Sequence, residues 1–351
     1  MMRFWMMIAA VVMAAGFRAE AAASSQPPMS APAPLRVLFI GNSFTYYNGL
    51  PSMVAAMFAA RKQALQAEMH AVGAATLGLH AANPKVAQLI AGSRWDYVVL
   101  QDQSALPASR PDETLNQGTK LCACVRKAGA TPVFFLTWAY RNEKGAGMDG
   151  DMQDRLNAAY CAAAKANHAL LAPVGPAWQS VLAKEPKAAL YAGDGIHPSS
   201  EGTYLAACVF YAVLAKQSPV GLPGRLTDTQ GGRRVILADV PAARAKLFQQ
   251  TAWGAAQGAI IEKLTAAHDR KEAVLPSVDD VKAKLKKTMR LAELCMALGA
   301  KPNQANEQQK LYLFKLRNGA MLWVNYGGDG AIAKCTVVPE NGGPWIAIEL
   351  K

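Results

Sequence analysis

Val37-Leu38-Phe39-Ile40-Gly41-Asn42-Ser43-Phe44-Thr45 is an unbroken apolar run that ends in a small polar turn. A short run of this kind, bounded by Gly, Asn and Ser, reads as a strand buried on both faces, here Arg36–Ile40. A helix is expected next over Leu50–Lys62, started near Pro51. The same alternation continues downstream. Leu65–Val72, Tyr97–Leu100, Thr131–Leu136 and His168–Pro173 read as strands. Pro111–Lys127, Asp151–Asn167 and Ser199–Lys216 read as helices. Strands that alternate with helices and are apolar on both faces imply an α/β domain with a parallel sheet covered on both sides. Ligands of such sheets bind beyond the carboxyl ends of the strands.

The polar residues gather at those ends. Ser43 follows the first strand, Gln101 and Gln103 follow the third, and Trp138, Tyr140 and Arg141 follow the fourth. Asp194-Gly195-Ile196-His197-Pro198 leads into the last long helix. A serine hydroxyl becomes nucleophilic when an imidazole takes its proton, and the imidazole needs a carboxylate to fix its tautomer. Asp194 and His197 have the spacing that lets a carboxylate meet a ring on one turn. Of the five histidines, His197 alone stands in an Asp-x-x-His-Pro context. Thr45 stands where the Gly-x-Ser-x-Gly elbow would have its last glycine, so that elbow is excluded. Oxyanion donors are expected from the Ser43 N–H, the amides of Gly73 and Ala74, and the side chain of Gln103, with Gln101 as the alternative. His80, Trp138 and Tyr140 are the candidate substrate-binding residues. Tyr46 and Tyr47 extend this set into an aromatic rim, or else these rings are core.

These motifs carry a resemblance. Gly41-Asn42-Ser43-Phe44-Thr45 resembles the first block of the SGNH/GDSL-like hydrolases, in an exported subgroup with a GNSFT block, and Asp194-Gly195-Ile196-His197-Pro198 resembles the last. It spans roughly Leu35 to Ala256. The resemblance implies a flavodoxin-like three-layer α/β/α fold, a Ser43–His197–Asp194 triad, and neither metal nor cofactor. The second block is placed at Gly73-Ala74-Ala75-Thr76, with Ala74 where a glycine usually stands. In the third, Gln101-Asp102-Gln103-Ser104 replaces the usual Gly-x-Asn-Asp, so Gln103 takes the place of the asparagine.

The 351 residues are 52% hydrophobic and 18% charged, which excludes a mainly disordered chain. Arg3 followed by apolar Phe4–Phe17 and small residues to Ala23 reads as a signal peptide over 1–23. An uncleaved anchor is the alternative, disfavoured by the short apolar run. Residues 24–34, rich in Ser, Pro and Ala, read as disordered. The hydrolase-like domain is assigned to 35–265, a linker to 266–276, and a small α+β module to 277–351. In the module a helix is expected over Ser277–Ala300, then strands at Leu311–Leu316, Ala320–Tyr326, Ala331–Val338 and Trp345–Leu350. A further helix is expected over Val240–Leu264. Six cysteines in an exported chain suggest either bridges, Cys295–Cys335 and Cys161 with Cys122 or Cys124, or buried thiols. The net charge of +12 suits an envelope surface or an acidic polysaccharide. Without basic runs interleaved with aromatics it does not indicate nucleic acid.

The sequence therefore predicts a periplasmic or secreted serine ester hydrolase without stable membrane insertion after signal cleavage. Its expected substrate is a small-molecule or carbohydrate ester, with O-acetyl groups and short acyl chains foremost. Acyl transfer, or a non-catalytic glycan- or partner-binding protein on the same fold, is the alternative.

Overall fold

The computed structural model describes residues 33–148, 150–257, 276–298, 302–316, 320–339 and 344–350. The expected signal peptide, most of segment 24–34 and nearly all of the 266–276 linker lie outside the described residues.

The first part runs β1 (Leu35–Gly41), α1 (Ser43–Tyr46), α2 (Leu50–Ala60), β2 (Leu65–Ala71), α3 (Leu77–Ala82), α4 (Pro84–Ala91) and β3 (Tyr97–Leu100). It continues with α5 (Leu106–Ser109), α6 (Pro111–Lys127), β4 (Thr131–Leu136), α7 (Met152–Ala166), β5 (Leu170–Pro173), α8 (Val174–Lys184) and α9 (Ser200–Ala215). After it come β6 (Arg225–Gln230), β7 (Arg233–Asp239) and α10 (Ala242–Ala256).

Strands β1 to β5 form one parallel sheet in the order β2-β1-β3-β4-β5. This is the flavodoxin-like order, and the chain reverses direction across the sheet between β1 and β3. Side chains on a strand alternate between faces. Val37 and Phe39 of β1 enter a core with α2, α8, α9 and α10, whereas Leu38 and Ile40 enter a second core with α4, α6 and α7. All four are fully buried, which is why the run carries no polar residue. The result is the expected three-layer α/β/α fold.

Gly41 closes β1 for a reason of space. A Cβ there would stand 2.3 Å from Thr45 Oγ1 and 2.5 Å from Gln101 Oε1. The crowding of two loops, rather than an unusual backbone angle, requires glycine here.

The β6–β7 hairpin was not anticipated. It turns at Gly231-Gly232, both with positive φ, and a Gly-Gly pair between two β-capable runs is the signal that announces such a turn. Of the expected Val240–Leu264 helix, α10 accounts for Ala242–Ala256, and residues after 257 lie outside the described ones.

The C-terminal module contains α11 (Val278–Lys284), α12 (Leu291–Leu298), β8 (Gln304–Asn306), β9 (Leu311–Lys315), β10 (Met321–Tyr326), β11 (Ile332–Val338) and β12 (Ile346–Ala347). Its five strands form an antiparallel meander in the order β12-β11-β10-β9-β8. Two corrections concern this region and the cysteines. The expected single helix over 277–300 is two helices. Leu285 leaves the helical path to become buried, and the Lys287 carbonyl accepts the Ile332 N–H at 3.0 Å. A bond to the sheet thus replaces one turn of helix. The expected bridges are not formed either: Cys122, Cys124 and Cys335 are thiols. Burial pushes the Cys122 thiol up to about 11 and the Cys335 thiol up to about 12, so both behave as small apolar side chains.

Candidate active site

The turn after β1 is organised by Asn42. Its side chain caps α1 by accepting the Phe44 N–H at 3.2 Å, as an N-cap asparagine does. Its Nδ2 donates to Ala75 O (2.9 Å) and Asp102 O (3.1 Å), tying three loops together. Ser43, half-buried, is thereby fixed as the first residue of α1.

Ser43 Oγ lies 2.9 Å from His197 Nε2, and His197 Nδ1 lies 2.6 Å from Asp194 Oδ2. The other carboxylate oxygen, Oδ1, accepts the N–H groups of Ile196 (2.9 Å) and His197 (3.0 Å). The hydrogen bond to His197, helped by these amides, holds the Asp194 carboxyl well below its usual range, at about 2. Asp194 is therefore an anion at any pH where the protein works. With Asp194 an acceptor only, His197 carries its proton on Nδ1 and presents Nε2 to the serine as a base.

The loop bearing this pair is pinned from several sides. Gly195 has φ +70°, and its carbonyl accepts the Arg141 N–H at 2.8 Å. Trp138 Nε1 donates to Ile196 O at 3.0 Å, and Asn48 Nδ2 donates to Pro198 O at 3.0 Å. Tyr47 lies flat on the imidazole, with ring centroids 4.2 Å apart and planes 12° apart, and Phe44 meets it edge-on at 5.7 Å.

No family model and no curated protein sequence matches the chain. Solved structures do match. A candidate SGNH hydrolase from Slackia heliotrinireducens is 34% identical over 52% of this chain and 100% of its own, with a TM-score of 0.47. The chain belongs to the SGNH-like hydrolases. A DUF4886 family protein from Bacteroides uniformis, 18% identical over 64% of this chain and 95% of its own with a TM-score of 0.51, shares the fold.

Within this SGNH-like scaffold the second block approaches β1 as expected. Val72 N–H donates to Gly41 O at 3.1 Å, which brings the Gly73-Ala74 turn to the nucleophile loop. Ala74 has φ +58°, a left-handed conformation that suits glycine. No hydrogen bond among the described residues engages the N–H groups of Ser43, Gly73 or Ala74.

The structure corrects the readings of Gln101, His80 and Trp138. Gln101 is fully buried. Its Oε1 accepts from Asn42 N–H (2.9 Å) and the Thr45 hydroxyl (2.9 Å), and its Nε2 donates to Asn42 Oδ1 (3.0 Å) and to the Asp102 carbonyl. Both donor hydrogens are committed, so it is a brace and has none for an oxyanion. Gln103 folds onto its own turn, accepting from Ala105 N–H and Leu106 N–H at 2.9 Å and donating to Ser104 Oγ at 3.2 Å. The cap uses Oε1 and one Nε2 hydrogen, so the side-chain amide keeps a second donor hydrogen. His80 is buried rather than lining a cleft, and its Nε2–H donates to Gly41 O at 2.9 Å. Burial lowers its pKa, so it is a neutral brace under β1. Trp138 is also buried, stacked between Phe44 at 4.4 Å and Trp178 at 4.2 Å. It supports the site from below.

Tyr140 is half-buried. Its hydroxyl shares a 2.6 Å hydrogen bond with Ser104 Oγ, and its ring lines a cavity. Asp102 was not among the expected site residues. This buried carboxylate accepts from Leu77 N–H (2.9 Å), Gln103 N–H (2.8 Å) and the Thr114 hydroxyl (2.7 Å). Burial raises its pKa and these bonds oppose the rise. Its place in the third block was the available signal.

Proposed function

We propose that this chain is an exported serine ester hydrolase in which Ser43 is the nucleophile, His197 the general base and acid, and Asp194 the residue that orients the imidazole. The observation that carries the reading is the continuous relay from Ser43 Oγ to His197 Nε2 at 2.9 Å and from His197 Nδ1 to Asp194 Oδ2 at 2.6 Å. Ser43 and His197 are 154 residues apart in the chain. A relay with the hydroxyl at one end, a properly tautomerised imidazole and a fixed anion is what acyl transfer needs.

In this mechanism Ser43 Oγ attacks the ester carbonyl while its proton passes to His197 Nε2. The imidazolium that forms is balanced by Asp194. It then gives its proton to the departing alkoxide, which leaves an acyl-serine. Water, deprotonated by the same nitrogen, releases the acid and restores Ser43. The negative oxygen of each tetrahedral intermediate is met by the N–H groups of Ser43 and Ala74, with Gly73 on the same turn. Each such donor is typically worth about 10²–10³ in rate.

Carbohydrate O-acetyl groups or short acyl esters are the substrate class we favour. Tyr46 is exposed and Tyr47 half-buried at the nucleophile loop, and aromatic faces of this kind suit sugar rings and small acyl groups. The N-terminal sequence supports a periplasmic or secreted location. Transfer of the acyl group to another alcohol would use the same acyl-serine.

The experiment is labelling and turnover together. Wild-type protein is expected to react with a fluorophosphonate probe and to hydrolyse a short acyl p-nitrophenyl ester. Ser43→Ala is expected to fold and to lose both. Labelling that persists in Ser43→Ala would sink the assignment, and a wild-type protein that neither labels nor turns over would favour a binding role for the cleft.

A further inference from the structure

We propose that the cavity beside the Asp194–His197 loop is a subsite that holds a carboxylate on the alcohol portion of the substrate. That the carboxylate belongs to the alcohol portion rests on the ester-hydrolase reading, whereas the anion site stands on its own geometry. The cavity has a volume of about 700 Å³ and is lined by Tyr140, Arg141, Trp178, Lys187 and Tyr191, with Glu143 on its wall. This is the size of a small-ligand site, and no member of the triad lines it.

The cavity is built onto the loop that carries the base. Arg141 N–H donates to Gly195 O at 2.8 Å. Tyr191 forms a backbone bridge with Pro198, and its hydroxyl donates to Ala139 O at 2.9 Å. Two walls are thus fixed directly to the segment holding Asp194 and His197.

Its charge is positive by one unit. Arg141, Lys187 and Glu143 all line it, and Glu143 Oε2 accepts the Met152 N–H at 2.9 Å. The Arg141 guanidinium lies over the Tyr191 ring, 5.0 Å from its centroid, and makes no ion pair among the described residues. A guanidinium stacked by its face keeps its N–H edge for a planar anion. One net positive charge suits a carboxylate better than a doubly charged phosphate. Trp178, a residue only 1% exposed, backs the Tyr191 wall, with the two rings edge-on at 5.1 Å.

4-Acetoxybenzoate and its methyl ester test this, because they share the acetyl group and the ring and differ in the carboxylate. The wild type is expected to favour the acid in kcat/KM. Lys187→Glu and Arg141→Gln are each expected to lower the acid-to-methyl-ester ratio about tenfold, the usual cost of one charge-assisted hydrogen bond. A ratio that neither variant changes overturns the subsite. Calorimetry on the Ser43→Ala protein reads binding without turnover. There 4-hydroxybenzoate is expected to saturate a site that Lys187→Glu weakens and that methyl 4-hydroxybenzoate does not fill. Equal binding of acid and ester, or binding of neither, also overturns it. If neither acetyl ester is hydrolysed but acid binding depends on Lys187, the hydrolase reading fails and the anion site stands. If both esters are hydrolysed with no charge preference, the reverse holds.

Discussion

Asp194 serves with both oxygens, one on the imidazole and one on the backbone of the same turn. Replacing it with Asn removes the anion and offers the wrong hydrogen-bonding partner to Nδ1. Asp194→Asn is expected to lower kcat by about 10⁴ while the fold persists, as measured by ester turnover and circular dichroism. The sign of the pH dependence follows from the same pair. A carboxyl lowered to about 2 stays charged far below neutrality, so Asp194 does not set the acid limb of the rate. The protonated form of His197 cannot accept the serine proton. kcat/KM should therefore fall about tenfold per pH unit once the imidazole is protonated. A limb that appears only below about pH 4, where free carboxyls titrate, would assign the titration to a carboxylate instead. Tyr47 adds a third test. Its ring lies flat on His197 and offers a π-face to the imidazolium formed during proton transfer. Tyr47→Ala is expected to lower kcat several-fold with little change in KM, and Tyr47→Phe to restore it, in steady-state kinetics. At this scale the sequence was legible where chemistry is local. Ser43, and Asp194 with His197, were readable because a strand end and an i,i+3 spacing announce them. Trp138 and Gln101 were misread because a loop position at a strand end does not say whether a polar or aromatic side chain points outward or under the sheet, and His80 because the short helix α3 that turns it under β1 was not anticipated.

The elements that deliver these residues are held by close approach. Gly41→Ala would press a methyl group into Thr45 and Gln101, and both sit in a network with no slack. It is expected to lower the melting temperature and to reduce turnover together, since Asn42 and the start of α1 shift with it. Ala74 is the converse case. It holds a positive φ that an L-residue adopts at a cost of about 1 kcal/mol, so Ala74→Gly is expected to leave stability equal or slightly higher in thermal denaturation. The strands β1, β3 and β4 and helices α6 and α7 stood out in the sequence because their apolar runs are long or periodic. The break between α11 and α12 did not. Helical spacing continues across Leu285–Arg290, and only the pairing of Lys287 with Ile332 shows that a sheet bond wins over another helical turn. The β6–β7 hairpin was passed over because its strands are half polar, as a two-stranded surface ribbon permits.

The whole molecule distributes its stability over separate cores. Phe39 packs edge-on to Phe210 at 5.5 Å beneath the site, whereas Leu322 belongs to the core of the C-terminal module. Phe39→Ala is expected to cost about 3–5 kcal/mol and to remove activity with stability. Leu322→Ala is expected to cost about 2–5 kcal/mol in the module while kcat on a small ester is kept, as followed by calorimetry and turnover. Equal loss of turnover in both would show that the module supports the catalytic sheet. The parallel α/β architecture was legible from alternation alone. Alternation does not encode the strand order, because pairing of β1 with both β2 and β3 is a long-range choice; the flavodoxin-like fold that the resemblance implied supplied it, and the observed order β2-β1-β3-β4-β5 agrees.

One indole joins the two halves of the relay. Trp138 stacks under Phe44, the neighbour of Ser43, and its N–H holds the carbonyl next to His197. A disturbance at either end of the proton path is thus felt by the same chromophore. Under the proposed mechanism, acylation of Ser43 is expected to change the Trp138 contribution to the emission of the seven tryptophans, which a stopped-flow trace reads without any dye.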